Sequence, residues 1–186
     1  VGGICGLNGS GSIEKSYNTG SVSGSGSYVG GICGYNSTKG TIENSFNTGS
    51  VIGSSVSSSV GGVCGVNYNT IKNSYNTGSV NGSIGVGGVC GMSYNDTMKN
   101  SVENSYNTGS VSGSEKVGGV CGANNSSVKN SYNTGSVSGS KEVGSVCGRN
   151  IGTIENTYYL ENCNAKGTTF DCNGGTAQTS EQFESG

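Results

Sequence analysis

The chain has 186 residues, 37 of them glycine, and it contains no proline, tryptophan or histidine. Without histidine there is no imidazole base, which excludes serine–histidine and cysteine–histidine catalytic pairs. The formal net charge of −2 comes from singly scattered side chains, so no basic stripe for nucleic acid is formed. Its apolar runs are much shorter than the roughly 18 residues that suggest a membrane span.

Two short phrases recur along the chain. A variant of V-G-G-[I/V]-C-G starts at six valines that lie 28, 31, 26, 31 and 26 residues apart: Val1, Val29, Val60, Val86, Val117 and Val143. A form of N-S-Y-N-T-G-S-V-x-G follows each of the first five. A period of about 20–50 residues is typical of repeat proteins. We therefore assign repeats to 1–28, 29–59, 60–85, 86–116, 117–142 and 143–159, and a capping segment to 160–186, where Ser180 would cap a helix start.

Each repeat contains three candidate strands, with the patterns V-G-G-V-C-G, T-I-E-N-S-Y and G-S-V-S-G. They are short, rich in β-branched and aromatic residues, and bounded by Gly, Asn or Ser. This pattern predicts an all-β protein, a right-handed parallel β-helix of about six rungs with three short strands each. The glycine of Asn-Thr-Gly is expected to supply a positive φ.

Stacking of the rungs places equivalent residues in columns. Two columns are apolar, and a third is aromatic, with members Tyr17, Phe46, Tyr75, Tyr106, Tyr132 and Tyr158. A charged column with alternating sign would fix the register of the rungs through Glu43, Lys72, Glu103, Lys129 and Glu155. Two asparagine columns, one containing Asn44 and the other Asn47, would hydrogen-bond along the axis as in other cross-β ladders.

The cysteines fall into two groups. Six form a predicted ladder of buried thiols, one per rung: Cys5, Cys33, Cys64, Cys90, Cys121 and Cys147. Paired cysteines at metal-binding spacing are absent, so we predict neither a metal nor a cofactor. Disulfides within the ladder are harder to exclude, although parallel Cβ atoms in register lie farther apart than a bridge prefers. Cys163 and Cys172 lie outside the repeats, and we predict a disulfide between them.

The direction of the thiols is left open by the sequence. In a continuous strand, Val1, Gly3 and Cys5 would share one face, and Ile4 would lie on the other. If the cysteines point inward, the column that begins with Ile4 would form an apolar stripe on the outside.

The phrases V-G-G-x-C-G-x-N and G-T-I-E-N-S-Y-N-T-G-S-V-S-G resemble the GLUG motif repeat over residues 1 to about 158. The resemblance implies a part of a large secreted or cell-surface bacterial protein, such as an adhesin or an immunoglobulin-A-cleaving peptidase. In such proteins the repeats are accessory modules beside the catalytic domain. The cysteine stands where the family commonly has valine or another small apolar residue, so the resemblance says nothing about the thiols.

Two functions remain, and neither is enzymatic, since we identify no catalytic residues. The first is a structural spacer or adhesin-like module, located outside the cell or on its surface, whose partners are other domains of its parent protein. The second is a face that binds glycan or another ligand, with ice much less favoured; aromatic residues would contribute to it unless they lie in the core. The candidate ligand face consists of Ser21, Ser50, Ser79, Ser110 and Ser136. The exposed sheet edges at the ends of the solenoid also predict end-to-end association between copies of the chain. Host or surface glycans or proteins are further candidate partners.

Overall fold

A computed structural model of the chain describes residues 1–54, 59–94, 101–161, 166–168 and 175–185. Short parallel strands of successive repeats stack into a β-solenoid of six rungs, which make about five turns. This confirms the predicted all-β parallel β-helix. The described part contains one short helix, α1 (Ser180–Ser185).

The strands follow one another in the same order in each rung, beginning at the cysteine. Rungs one to three comprise β1 (Cys5–Asn8), β2 (Ser12–Glu14), β3 (Tyr17–Asn18), β4 (Val22–Gly24), β5 (Tyr28–Gly30), β6 (Cys33–Asn36), β7 (Thr41–Glu43), β8 (Phe46–Asn47), β9 (Val51–Gly53), β10 (Ser59–Gly61), β11 (Cys64–Asn67), β12 (Thr70–Lys72), β13 (Tyr75–Asn76), β14 (Val80–Asn81) and β15 (Ile84–Gly87). The later rungs and the C-terminal segment comprise β16 (Cys90–Tyr94), β17 (Ser101–Glu103), β18 (Tyr106–Asn107), β19 (Val111–Ser112), β20 (Glu115–Gly118), β21 (Cys121–Asn125), β22 (Ser127–Lys129), β23 (Tyr132–Asn133), β24 (Val137–Gly144), β25 (Cys147–Asn150), β26 (Thr153–Glu155), β27 (Tyr158–Leu160), β28 (Lys166–Thr168) and β29 (Thr176–Gln178).

These strands form four sheets that run the length of the solenoid. The thiol sheet contains β1, β6, β11, β16, β21 and β25, and the isoleucine sheet contains β2, β7, β12, β17, β22 and β26. The aromatic sheet contains β3, β8, β13, β18, β23, β27 and β29. The valine sheet combines β4, β9, β14 and β19 with β5, β10, β15 and β20 through the long strand β24, and β28 pairs with β24.

The prediction of three strands per rung is wrong, since each of the first four rungs has five. One reason is a bend inside V-G-G-I-C-G, where the N–H groups of Ile32 and Cys33 both donate to the Val63 carbonyl, at 2.9 and 3.0 Å. Another is a left-handed residue inside T-I-E-N-S-F, where Asn44 has a φ of 49°. Asparagine adopts this region more readily than most residues, so the chain turns a corner there.

The glycine of Asn-Thr-Gly serves close packing and does not supply the positive φ that we expected. Among the described glycines, only Gly85 has a φ in the left-handed region. A Cβ on Gly78 would lie 2.0 Å from the carbonyl oxygen of Gly49, its equivalent one rung away. Any side chain at this position would therefore collide with the neighbouring backbone.

The core consists of two apolar clusters that run along the axis. The larger one joins the cysteines from Cys33 onward to the residue before each of them and to the isoleucine column of β2, β7 and their equivalents. The smaller one contains two valines from each of the first five rungs, exemplified by Val51 and Val60, which are both fully buried. Fully burying one valine contributes roughly 1.5–3 kcal/mol. Because these valines are buried by the rungs above and below, a rung depends on its neighbours for most of its stability.

The C-terminal segment returns to the solenoid after the sixth rung. Strand β29 pairs with β27 and thereby adds a seventh strand to the aromatic sheet. Helix α1 then begins with a capping box, in which the Gln182 N–H donates to Thr179 Oγ1 at 3.3 Å and the Thr179 N–H donates to Gln182 Oε1 at 2.8 Å. The cap is therefore Thr179, one residue before the Ser180 that we expected.

Candidate functional site

The six ladder cysteines lie in register on the thiol sheet, each as a thiol. Five are buried, and Cys5 in the first rung is partly exposed. Their sulfurs donate to the carbonyl oxygen two residues further on at 3.0–3.2 Å, in Cys33, Cys64, Cys90, Cys121 and Cys147. A valine at this position would fill similar space but would not make this bond.

The pKa shifts of the ladder thiols differ in direction. Hydrogen bonds from neighbouring thiols lower the pKa of Cys33 and of Cys121. Burial raises the pKa of Cys64 and of Cys90 well above the ordinary value of a thiol, and burial also raises the pKa of Cys5. The thiolate is the nucleophilic form of cysteine, so Cys5, Cys64 and Cys90 are poorly suited to nucleophilic catalysis at neutral pH. Cys33 and Cys121 are buried, which keeps their sulfurs away from a substrate.

The expectation of an outward apolar stripe is wrong. The residues before the ladder cysteines, such as Ile32 and Val63, are fully buried and pack in the same core cluster as the thiols. The bend at Ile32 breaks the alternation of a straight strand, so both side chains point inward. Ile4, at the open edge of the first rung, is 50% exposed.

The predicted charge column lies on the isoleucine sheet, where the neighbours Glu43, Lys72, Glu103, Lys129 and Glu155 pair in register. Lys129 Nζ lies 3.1 Å from Glu155 Oε2, and both side chains are substantially exposed. Glu103 instead accepts a hydrogen bond from the Ser101 hydroxyl at 2.6 Å. Exposed ion pairs contribute about 0–1 kcal/mol, so this column adds little stability.

A third asparagine ladder, which the sequence analysis missed, runs along the thiol sheet. The Nδ2 group of Asn8 donates to Asn36 Oδ1 at 2.9 Å, and that of Asn36 donates to Asn67 Oδ1 at 2.8 Å. Ser93 interrupts this ladder, and its buried hydroxyl has no partner among the described residues. The recurrence of asparagine at the end of the phrase V-G-G-x-C-G-x-N could have indicated this ladder.

The candidate serine face lies just before the strands of the valine sheet. Four of its members, Ser21, Ser79, Ser110 and Ser136, are exposed, and Ser50 is partly buried. The Ser50 hydroxyl donates to that of Ser21 at 2.9 Å. The adjacent column is interrupted by Ile52, which is 47% exposed.

The aromatic column is on the outside, and its rings stack along the axis. Centroid distances decrease from 5.3 Å for Tyr17–Phe46 to 4.7 Å for Tyr75–Tyr106, and all four interplanar angles from Tyr17 to Tyr132 are 10° or less. Stacked rings cover one another's faces and present their edges to solvent. A sugar that packs on an aromatic face would therefore find little open face along most of this column.

A second aromatic run, not foreseen from the repeat, crosses the thiol sheet. It contains Tyr28, Tyr35, Tyr68 and Tyr94, with neighbouring centroids 5.3–5.6 Å apart and rings tilted by 23–40°. Tyr68 and Tyr94 are equivalent, whereas Tyr28 and Tyr35 occupy two other repeat positions, so no column of tyrosines indicated the run.

The other predicted features bear on metals, membranes and the tail. Cys163 and Cys172, our predicted disulfide, lie outside the described residues. Within the described ranges, no group of three or more His, Cys, Asp or Glu side chains is arranged to hold a metal ion. The helix that the structure describes is too short to cross a membrane.

Comparison with known proteins identifies one solved structure of similar fold and one matching sequence motif. No curated protein matches the chain. One solved structure, described as a "putative immunoglobulin A1 protease" from Bacteroides ovatus, is similar with a TM-score of 0.71 and 26% sequence identity, over 98% of this chain and 67% of that one. The GLUG motif matches residues 25–52 and 56–81. This chain therefore contains a region of GLUG motif repeats.

Proposed function

We propose that this chain is a non-catalytic structural module, a spacer or adhesin-like segment of a secreted or surface-anchored bacterial protein. The observation that carries the proposal is the continuity of the ladders. Thiol, valine, isoleucine and amide columns pass through the rungs in register, and they place most of the repeated side chains in packing or axial hydrogen bonds. Such a stack is suited to holding other domains of a parent protein at a defined separation.

A catalytic role is the main alternative, because the similar Bacteroides ovatus structure is described as a "putative immunoglobulin A1 protease". The present chain has no histidine, and five of its six ladder thiols are buried. We therefore expect the purified chain to leave human immunoglobulin A1 intact after overnight incubation, as judged by gel electrophoresis beside an active protease. Hinge cleavage by the chain alone would refute the non-catalytic assignment.

The spacer role predicts that length can change without loss of fold. Deleting one whole repeat, residues 60–85, should shorten the solenoid by one strand spacing of about 4.8 Å and preserve its strand content. Circular dichroism and distance measurement between labels at the two ends would test this. A variant that unfolds after removal of one complete repeat would contradict a modular spacer.

End-to-end association is the second part of the proposal. The first rung exposes apolar side chains, with Ile4 50% and Leu7 64% exposed, whereas the equivalents of Ile4 in later rungs are fully buried. An apolar edge with unpaired backbone groups can accept another rung. Sedimentation velocity should show concentration-dependent association that Leu7→Lys weakens, and a monomer at every concentration would contradict it.

A further inference from the structure

A cleft lies between helix α1 and the end of the aromatic sheet. Its volume is about 740 Å³, within the usual range for a small-molecule site. The walls comprise three aromatic rings, two threonines and two glutamines, namely Tyr132, Tyr158, Phe183, Thr108, Thr134, Gln178 and Gln182. The spacer role makes no use of this cleft.

The aromatic column changes its geometry here. From Tyr17 to Tyr132 the rings are stacked nearly parallel, but Phe183 meets Tyr132 at 5.7 Å with an interplanar angle of 54°. A ring at this tilt leaves part of its neighbour's face uncovered. The cleft therefore combines an accessible aromatic face with polar groups, which the rest of the column lacks.

The lining residues define the class of ligand. None of them is charged, so the cleft offers no counter-charge to a phosphate, a carboxylate or a cation. The threonine hydroxyls and glutamine amides both donate and accept hydrogen bonds. A purely apolar ligand would bury the hydroxyls of Thr108 and Thr134 and the amide of Gln178 without giving them a hydrogen bond, which costs about 1–3 kcal/mol each. A neutral sugar fits a cleft that has an aromatic face, polar groups and no charge. Its ring has an apolar C–H face that can pack on the aromatic ring, and the hydroxyls around its edge can bond to the polar groups.

The cleft is also built on fixed elements. Strand β29 holds Gln178 next to β27 in register, with Leu160 paired to Gln178. The capping box fixes Gln182 at the first turn of α1. Thr108 and Thr134 occupy equivalent positions in successive rungs. Their N–H groups donate to the backbone carbonyl oxygens of Asn76 and Asn107, each at 3.0 Å. Groups held in this way lose little freedom when a ligand binds.

We propose that this cleft binds a neutral carbohydrate, with the sugar face against Tyr132 and Phe183 and its hydroxyls toward Thr108, Thr134 and Gln178. A second groove of about 540 Å³ shares Tyr132 and Tyr158 with the cleft. The site is therefore suited to the end of an oligosaccharide more than to a single sugar.

The test uses the repeat to supply its own control. The intact chain would be titrated with neutral trisaccharides of glucose, mannose, galactose and N-acetylglucosamine, and with the anionic trisaccharide of galacturonic acid. We expect at least one neutral trisaccharide to bind and the double variant Thr108→Val/Thr134→Val to weaken its affinity by at least about tenfold. The variant Thr48→Val/Thr77→Val, which changes the same column outside the cleft, should bind within twofold of the original chain.

A second measurement needs no variant. On titration, the methyl resonances of Thr108 and Thr134 should shift in the NMR spectrum, while those of Thr48 and Thr77 stay in place. The proposal fails if none of the four neutral trisaccharides binds, if trigalacturonate binds as tightly as they do, or if the two pairs of threonines respond equally.

Discussion

Two amide ladders run along the solenoid three residues apart, one buried and one exposed. In the buried ladder, Asn47, Asn76 and Asn107 each donate to the next asparagine at 2.8 Å and to a backbone carbonyl two residues on at 2.7 Å. In the exposed ladder, which includes Asn44 and Asn73, the amide–amide distance is 3.1–3.2 Å. The same residue type in the same register thus meets very different surroundings.

The difference indicates two physical roles for asparagine. The buried amides fill the space beside glycine backbone and satisfy carbonyls that water does not reach. The exposed asparagines all have φ between 47° and 50°. Their main contribution is therefore to adopt the left-handed backbone conformation that the corner between two sheets requires. Breaking each ladder at matched positions separates these roles.

The largest expected effect comes from filling the space that the buried ladder requires. In Gly62→Ala the new Cβ would lie 2.0 Å from the Gly88 carbonyl oxygen and 2.4 Å from Asn76 Cγ. The backbone cannot move away without disturbing two rungs, so we expect a loss of at least about 3 kcal/mol in the free energy of unfolding. Urea denaturation followed by circular dichroism measures it.

The control for this substitution is Gly6→Ala, where a Cβ would have no atom within 4 Å. We expect its unfolding free energy to stay within about 0.5 kcal/mol of the original. If the two alanine variants were equally stable, close packing would not be the reason for glycine at position 62.

The second effect comes from removing a buried amide. Asn76→Ala deletes the donors to Asn107 and Gly78 and the acceptor for Asn47, all in a fully buried side chain. Leaving buried polar groups without partners should cost about 2–3 kcal/mol. Urea denaturation gives the total, and hydrogen exchange should show faster exchange in the rungs on both sides. A loss below about 1 kcal/mol would mean that water replaces the amide.

Most of the fold could be predicted from the sequence because the repeat keeps its phase. The recurrence of valine, isoleucine and tyrosine at fixed sites implied stacked columns, and these columns are paired in register. The strand count could not be obtained in this way. It depends on the bend at Ile32 and on the left-handed Asn44, and both interrupt phrases that read as continuous strands.

The candidate site was less accessible to sequence reasoning. The cleft forms only because Phe183, far along the chain in a tail without repeats, comes to lie against Tyr132. Similarly, the run from Tyr28 to Tyr94 uses tyrosines that occur in only one or two rungs at each repeat position. Periodicity reveals what the rungs share, whereas these features arise from what single rungs do differently.

The third prediction concerns the exposed ladder. Asn73→Gly removes the amide but keeps easy access to the left-handed region, so its stability should stay within about 0.5 kcal/mol of the original. Asn73→Ala removes the amide and also disfavours the φ of 50°, at a cost of about 1 kcal/mol. Thermal unfolding of the pair distinguishes the two contributions. If both variants lost equal stability, the amide ladder would matter more than the corner.

The smallest effect should be a gain. Lys15 occupies the first-rung position of the exposed ladder. Its φ of 48° lies in the left-handed region, which is unfavourable for lysine. Lys15→Asn should relieve this strain and let the Asn44 amide donate to a new acceptor, raising stability by about 0.5 kcal/mol. Lys39→Asn removes the same charge at an exposed position without a left-handed backbone, and it should leave the melting temperature unchanged. An equal gain in both variants would assign the effect to charge. A gain confined to position 15 would show that asparagine is selected in this column for the corner it makes.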